Sequence, residues 1–250
     1  NRGIELTINA IPVQNEDWQW STTLNLSHNS NRVKKLSNAA YSVSYQDLGY
    51  PWIAGNTGVA VQRLMEGCPI GQFYTYEFAG HDADGVSQFW VHDPVTGQRT
   101  GEKTIKPQDT DRTKTGSAQP KLTLGWNNTV SYKNWDLTLF FQGVFGNKIF
   151  NALRAQYNSV TLITQGKNVF REALTKQNYG DVNSQSPSDR YIENGSFLRL
   201  SSMSLSYDFG RLHGWVNNLS VYATCNNVFT LTSYKGADPE TASMGKSVTE

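Results

Sequence analysis

Three times the chain sets two alternating apolar/polar segments on either side of a short turn, and twice a long polar excursion separates one such pair from the next. The pairs are Ile4–Ala10 with Trp18–Leu26, Leu122–Tyr132 with Trp135–Gly143, and Leu198–Phe209 with Leu219–Cys225. The period is two: Ile4, Leu6, Ile8 and Ala10 alternate with Glu5, Thr7 and Asn9, and successive side chains of a strand point to opposite faces. Aromatics crowd the short turns, with Trp18 and Trp20 at the first, Tyr132 and Trp135 at the second, and Tyr207, Phe209 and Trp215 at the third. Short turns at one end, long loops at the other and a belt of rings make the layout of an outer-membrane β-barrel, with these seven rings as its membrane-interface aromatics.

Alternation alone also describes a soluble β-sandwich with a carbohydrate-binding face. Three features favour the barrel. The polar faces are rich in Ser, Thr, Asn and Gln, as a wet lumen would be; the strands exceed the usual 5–6 residues; and the aromatics gather at the short-turn end of every hairpin. A passive porin would share the belt and the wet lumen but need neither plug nor lid. Six strands are readable, whereas an even closed barrel has at least about eight, so the chain is not expected to close a barrel alone.

The first turn is placed at Ile11–Asp17, where Pro12 and Asn15 fall, and a tight hairpin connection at Lys133-Asn134. Phe140 breaks the alternation of its strand. The excursions run over about 29–120 and 147–193. The first contains Phe73-Tyr74-Thr75-Tyr76-Glu77-Phe78 and room for local strands that the pattern does not place. In the second, Val169, Phe170, Ala173 and Leu174 have the spacing of a short helix over Asn168–Lys176.

Composition excludes several classes. Lys and Arg number 22 against 21 Asp and Glu, which leaves no basic face for nucleic acid. No stretch approaches the ~20 apolar residues of a membrane-spanning helix, and mean hydropathy is −0.52. Barrel strands escape such averaging because only one face is apolar. Cys68 lies in a loop and Cys225 follows Val221 and Ala223 on an apolar strand face, so neither a disulfide framework nor a metal site is expected.

No nucleophile, acid and base converge in the sequence, so the chain is not expected to be an enzyme or to hold a cofactor. His28, His81, His92 and His213 are scattered and read as surface residues. Asp82-Ala83-Asp84-Gly85 has the start of a calcium loop, but the ligand spacing fails after Gly85 and a turn is the better reading. Tyr41, Tyr45, Tyr50 and Trp52 are candidates for stacking on a sugar or on a partner protein, or for packing the excursion onto its neighbours. Arg199 stands among apolar strand residues and is expected to point to the lumen or the headgroups, since a charge facing lipid at mid-depth costs ~2–4 kcal/mol.

Several segments resemble SusC/RagA-type TonB-dependent transporters, in the order that family has them. They are Asn1-Arg2-Gly3-Ile4-Glu5-Leu6 with Trp20 and Leu24-Asn25-Leu26-Ser27; Gly67-Cys68-Pro69-Ile70-Gly71-Gln72-Phe73-Tyr74 leading to Ala79-Gly80; and Gly143-Val144-Phe145-Gly146-Asn147-Lys148-Ile149. The most specific are Tyr191-Ile192-Glu193-Asn194-Gly195-Ser196-Phe197-Leu198-Arg199-Leu200 and Asn226-Asn227-Val228-Phe229-Thr230-Leu231-Thr232, running on to Gly236-Ala237-Asp238-Pro239-Glu240. The resemblance implies the C-terminal part of a barrel of nominally about 22 strands with a plugged lumen. It implies an outer-membrane location and uptake of a large nutrient, glycan first and peptide second. It also implies a SusD-like surface lipoprotein as lid and a periplasmic TonB partner engaged by a region upstream of these residues. The chain opens inside a strand with no signal peptide and stops before the family's closing strand, so a piece of a longer polypeptide is expected.

Overall fold

The computed structural model describes residues 1–38, 40–175, 179–212 and 214–240. His213 and Lys176, named above, lie outside them. In chain order the strands are β1 (Arg2–Gln14), β2 (Trp18–Ser30), β3 (Tyr45–Leu48), β4 (Gln62–Met65), β5 (Gln72–Tyr76), β6 (Phe78–His81), β7 (Ser87–His92) and β8 (Arg99–Thr104). They continue with β9 (Arg112–Ser117), β10 (Leu122–Tyr132), β11 (Trp135–Phe145), β12 (Lys148–Phe150), β13 (Ile192–Asn194), β14 (Phe197–Leu212) and β15 (Val216–Thr232), and one short helix, α1 (Ala152–Gln156), follows β12. The described residues divide into two compact units, those within 1–30, 120–147 and 195–233 in one and those within 31–119, 148–194 and 234–240 in the other.

The first unit is a single antiparallel sheet in the order β1-β2-β10-β11-β14-β15. Its strands run 11 to 17 residues, enough for the 9–11 or so that a tilted strand needs to cross a hydrocarbon layer. The three hairpins read from the sequence are all present, and each is longer than its alternation showed. The expected turn Ile11–Asp17 shrinks to Asn15–Asp17, because β1 continues to Gln14 through a register shift between Ala10 and Val13. Pro12 sits in that irregularity on an edge strand, where its missing N–H breaks no ladder. Asn15 closes the turn, its Oδ1 accepting from the N–H of Asp17 at 3.1 Å and of Trp18 at 2.8 Å. At the second hairpin Lys133 takes φ 51°, a positive φ of the kind that tight hairpin turns need. β15 starts at Val216 and runs to Thr232, so the Asn226–Thr232 motif is itself strand.

The second unit holds a four-stranded sheet β3-β4-β5-β9, a three-stranded sheet β6-β7-β8, and the pair β12-β13. Its core is Ile53, Val61, Phe73, Phe150, Ala152, Ala155 and Tyr191, contributed by both excursions. The helix expected over Asn168–Lys176 is only a 3-10 turn, Arg171–Leu174, with Ala173 buried; four spaced apolar residues are too few to nucleate an α-helix without a cap. The α-helix that does form, α1, is capped by Asn151, whose Oδ1 accepts from the Arg154 N–H at 2.9 Å.

Charged side chains bind the two excursions into this unit. Asp181, fully buried, accepts from the Ser87 N–H at 2.8 Å and from its hydroxyl, and lies 3.5 Å from an Arg190 nitrogen. Asp189 accepts from the Phe78 N–H at 2.8 Å. Arg154 bonds both oxygens of Glu172, at 2.8 and 2.9 Å, and reaches Glu193 at 3.1 Å. The Glu172 carboxyl is pushed up by burial but pulled further down by Arg154 and Arg190, and ends below its usual range. Asp109, likewise raised by burial, is brought below its range by Arg112 and Arg63. Such carboxylates contribute stability that is present near neutral pH and is lost as pH falls through their lowered values. Asp189 acts the other way, since burial raises it more than the Phe78 N–H lowers it. Protonation strips Glu172 of its pairing with Arg154 and Arg190, so the unit is expected to resist protease at pH 7 and to open below about pH 4. Glu172→Gln should weaken it at pH 7 and flatten the profile; equal resistance of the native protein at pH 7 and pH 3 would contradict this.

Candidate functional site

The register of the six-stranded sheet gathers the apolar positions on one face. Across it run Leu6, Leu26 and Leu124; Ile8, Leu24, Trp126, Phe141 and Leu200; and Val13, Trp20, Val130, Leu137, Leu205 and Ala223. Many side chains on this face lie open within the sheet: Leu6 is 50% exposed, Ile4, two residues before it, 73%, and Leu231, opposite Leu198, 60%. A soluble monomer rarely leaves so continuous an apolar face uncovered, and a sandwich would cover it with a second sheet.

Two polar residues on this face, Thr22 and Asn128, are both spent on indoles. Trp126 Nε1 donates to Thr22 Oγ1 at 2.9 Å and Trp20 Nε1 to Asn128 Oδ1 at 3.2 Å. Where no water reaches, an N–H must find its partner inside the protein, and these two do. The sequence marked the indoles but not their partners, because each pair is over a hundred residues apart and meets only through the β2–β10 register.

The opposite face is hydroxyl and amide. Thr7 donates to Asn25 Oδ1 and Thr23 to Asn9 Oδ1, both at 2.8 Å, and the Ser204 and Thr224 hydroxyls meet at 3.0 Å. Arg199 belongs to this face, in register with Gln142 and Thr230, and its Nε donates to Thr230 Oγ1 at 3.0 Å. Phe140 is here too, over Gly125, which is why it broke the apolar alternation.

At the short-turn end the rings form a row. Trp18 and Tyr132 stand 4.3 Å apart between centroids, Trp135 and Tyr207 4.6 Å, and Tyr207 and Phe209 4.6 Å. Trp20 lies two residues further along, opposite Val130, and Trp215 is in the last turn, 90% exposed.

In the second unit Tyr41, Tyr45, Tyr50 and Trp52 are all exposed. Tyr45 lines an open cavity of about 540 Å³ shared with Ser42, Ser44, Arg63, Glu66 and Tyr74. Burial pulls the Arg63 guanidinium down, but Asp47 and Asp109 more than reverse this and hold it above its usual range. The histidines differ from the surface reading. His28 is exposed, whereas His92 is buried with Nε2 3.3 Å from Glu77, and His81 is partly covered with Nε2 3.6 Å from Asp181; the carboxylates that draw them in are remote in sequence. Asp82 Oδ1 accepts from the N–H of Asp84 at 3.0 Å and of Val86 at 2.8 Å, the turn that was expected. Cys68 and Cys225 are both free thiols. No group of metal-ligating side chains occurs among the described residues.

No family model matches the chain. A TonB-dependent receptor of Formosa agariphila is 29% identical over 263 residues, 96% of this chain and 25% of that protein. The TonB-dependent receptor SusC of Bacteroides thetaiotaomicron is 29% identical over 260 residues, 97% of this chain and 24% of that protein. The chain therefore spans about a quarter of the length of the curated relatives it matches. Among solved structures, the RagAB peptide transporter aligns with a TM-score of 0.74 at 26% identity, over 95% of this chain and 26% of that one. The RagAB peptide importer in its closed-closed state gives 0.72 at 25%, with the same coverage. Over nearly its whole length the chain is similar to TonB-dependent receptors, SusC among them, and to the RagAB transporter, and the fold it shares with them is all-β with antiparallel sheets.

Proposed function

We propose that these residues are the C-terminal part of the barrel of a TonB-dependent outer-membrane importer, and that the longer polypeptide takes up a large nutrient, glycan first and peptide second, under a SusD-like lipoprotein lid. The observation that carries the reading is the six-stranded sheet with one predominantly apolar face, the indole N–H groups of Trp20 and Trp126 satisfied within that face, and the other face hydroxyl and amide. Lipid takes the first face and the water-filled lumen the second. The ring row of Trp18, Tyr132, Trp135, Tyr207 and Phe209, with Trp20 and Trp215, lies at the periplasmic headgroup level, where amphipathic rings are favoured. The excursions then open on the extracellular side. Rows of Ser, Thr, Asn and Gln give many weak hydrogen bonds, which lets a polar solute bind and leave.

Uptake of a fluorescently labelled oligosaccharide by cells carrying the full-length protein tests this. Uptake is expected to stop when TonB is deleted and to fall when the lid lipoprotein is deleted. Uptake indifferent to both deletions would overturn the importer in favour of a passive porin.

A further inference from the structure

We infer that the pocket beside Arg63 is a subsite for one uncharged sugar unit. The inference rests on the importer reading for its extracellular placement, and on the pocket's own chemistry for its ligand. Arg63 is 6% exposed and its guanidinium lies over two rings, 3.8 Å from the Tyr45 centroid and 4.2 Å from that of Tyr74. Tyr45 nevertheless stays 44% exposed and lines the cavity. A rigid ring presented to an open hollow of about 540 Å³ suits the C–H face of a pyranose, within the range of small-molecule sites. The exposed hydroxyls of Ser42 and Ser44 supply donors and acceptors at the mouth.

The charges decide the class of sugar. Arg63 is already held by Asp47 through two bonds, Nε–Oδ1 at 2.7 Å and Nη2–Oδ2 at 3.1 Å, and approaches Asp109 at 3.4 Å. Arg112 shares the same two carboxylates, at 2.8 Å from Asp109 and 3.7 Å from Asp47. Two guanidiniums are thus matched by two carboxylates, and Glu66 in the lining adds a further negative charge. A uronate, sulfate or peptide carboxylate would find no unspent cation among the described lining residues and would face Glu66. A cationic group would find Arg63 already stacked on Tyr45. A neutral ring with hydroxyls meets neither penalty.

The test uses full-length protein from the outer-membrane fraction, in a detergent without a sugar headgroup, titrated with methyl α-glucoside, methyl α-mannoside, methyl β-galactoside and glucuronate. At least one neutral glycoside should bind, and glucuronate at least tenfold more weakly. Tyr45→Ala should weaken the glycoside at least tenfold, while Tyr41→Ala, exposed and outside the pocket, should not. Ser44→Asp leaves the packing intact and should weaken it too, which covers a Tyr45 variant that fails to fold. Glucuronate binding as tightly as the glycosides, or unchanged binding in both pocket variants, would overturn the site. Protein that is in the outer membrane yet binds no glycoside also overturns the site while leaving the importer standing; protein missing from that membrane overturns the importer instead.

Discussion

Leu139→Arg in the full-length protein should abolish its accumulation in the outer membrane, whereas Thr138→Arg, one residue earlier, should leave it largely intact. Leu139 lies near the middle of β11, flanked on the apolar face by Met203 of β14 and Asn128 of β10. An arginine facing lipid near mid-depth costs about 2–4 kcal/mol, a large part of what holds a protein folded. Thr138 points to the other face, among Thr129 and Ser204, where an arginine reaches water. The contrast between neighbouring residues separates a lipid-facing surface from general intolerance of charge. It is read by immunoblot of separated membranes; equal loss in both variants, or in neither, would contradict the account.

Asp181→Ala should open the second unit. The carboxylate is completely buried and holds Ser87 through its backbone N–H and hydroxyl, with Arg190 and His81 close by. Ser87 comes from the first excursion and Asp181 from the second, so the bond joins segments 94 residues apart. Removing one partner of a buried charged pair costs about 3–5 kcal/mol, because the other is left uncompensated. Limited proteolysis in detergent should show new cleavage in both excursions at once, while the six-stranded sheet stays protected. Cleavage confined to residues near 181 would mean that the excursions fold separately.

The parts of the fold legible in the sequence were those that repeat one simple rule over many residues. Long strands with one apolar and one polar face announce themselves by period two, and Lys133-Asn134 between two of them could only be a hairpin. Only their ends were misjudged, where Pro12 and the Asn226-Asn227 pair interrupt the alternation without ending the strand. The second unit was not legible. Its strands are three to six residues long, too short to show a period, and its order comes from pairs such as Arg63–Asp47, Arg154–Glu172 and Asp181–Ser87. Nothing in local spacing marks those partners.

The candidate contacts divide for the same reason. Tyr45 was visible as an aromatic of the first excursion, but the pocket it lines needs Arg63 and Tyr74, which reach it through the β3–β4 and β4–β5 pairing. Tyr41, Tyr50 and Trp52 are open to solvent and do not line that pocket. The aromatics near the turns, by contrast, could be read as a row because hairpin ends bring them together whatever the details of the register.

The most direct test is a spin-label scan along β11, residues 135–145, in full-length protein reconstituted in bilayers, with Cys68 and Cys225 first replaced by serine. Positions 137, 139 and 141 should be accessible to oxygen, which concentrates in lipid, and positions 136, 138 and 142 to a water-soluble relaxation agent. Alternation of that phase would place lipid against the apolar face; water-soluble agent reaching 137, 139 and 141 would contradict a transmembrane barrel outright.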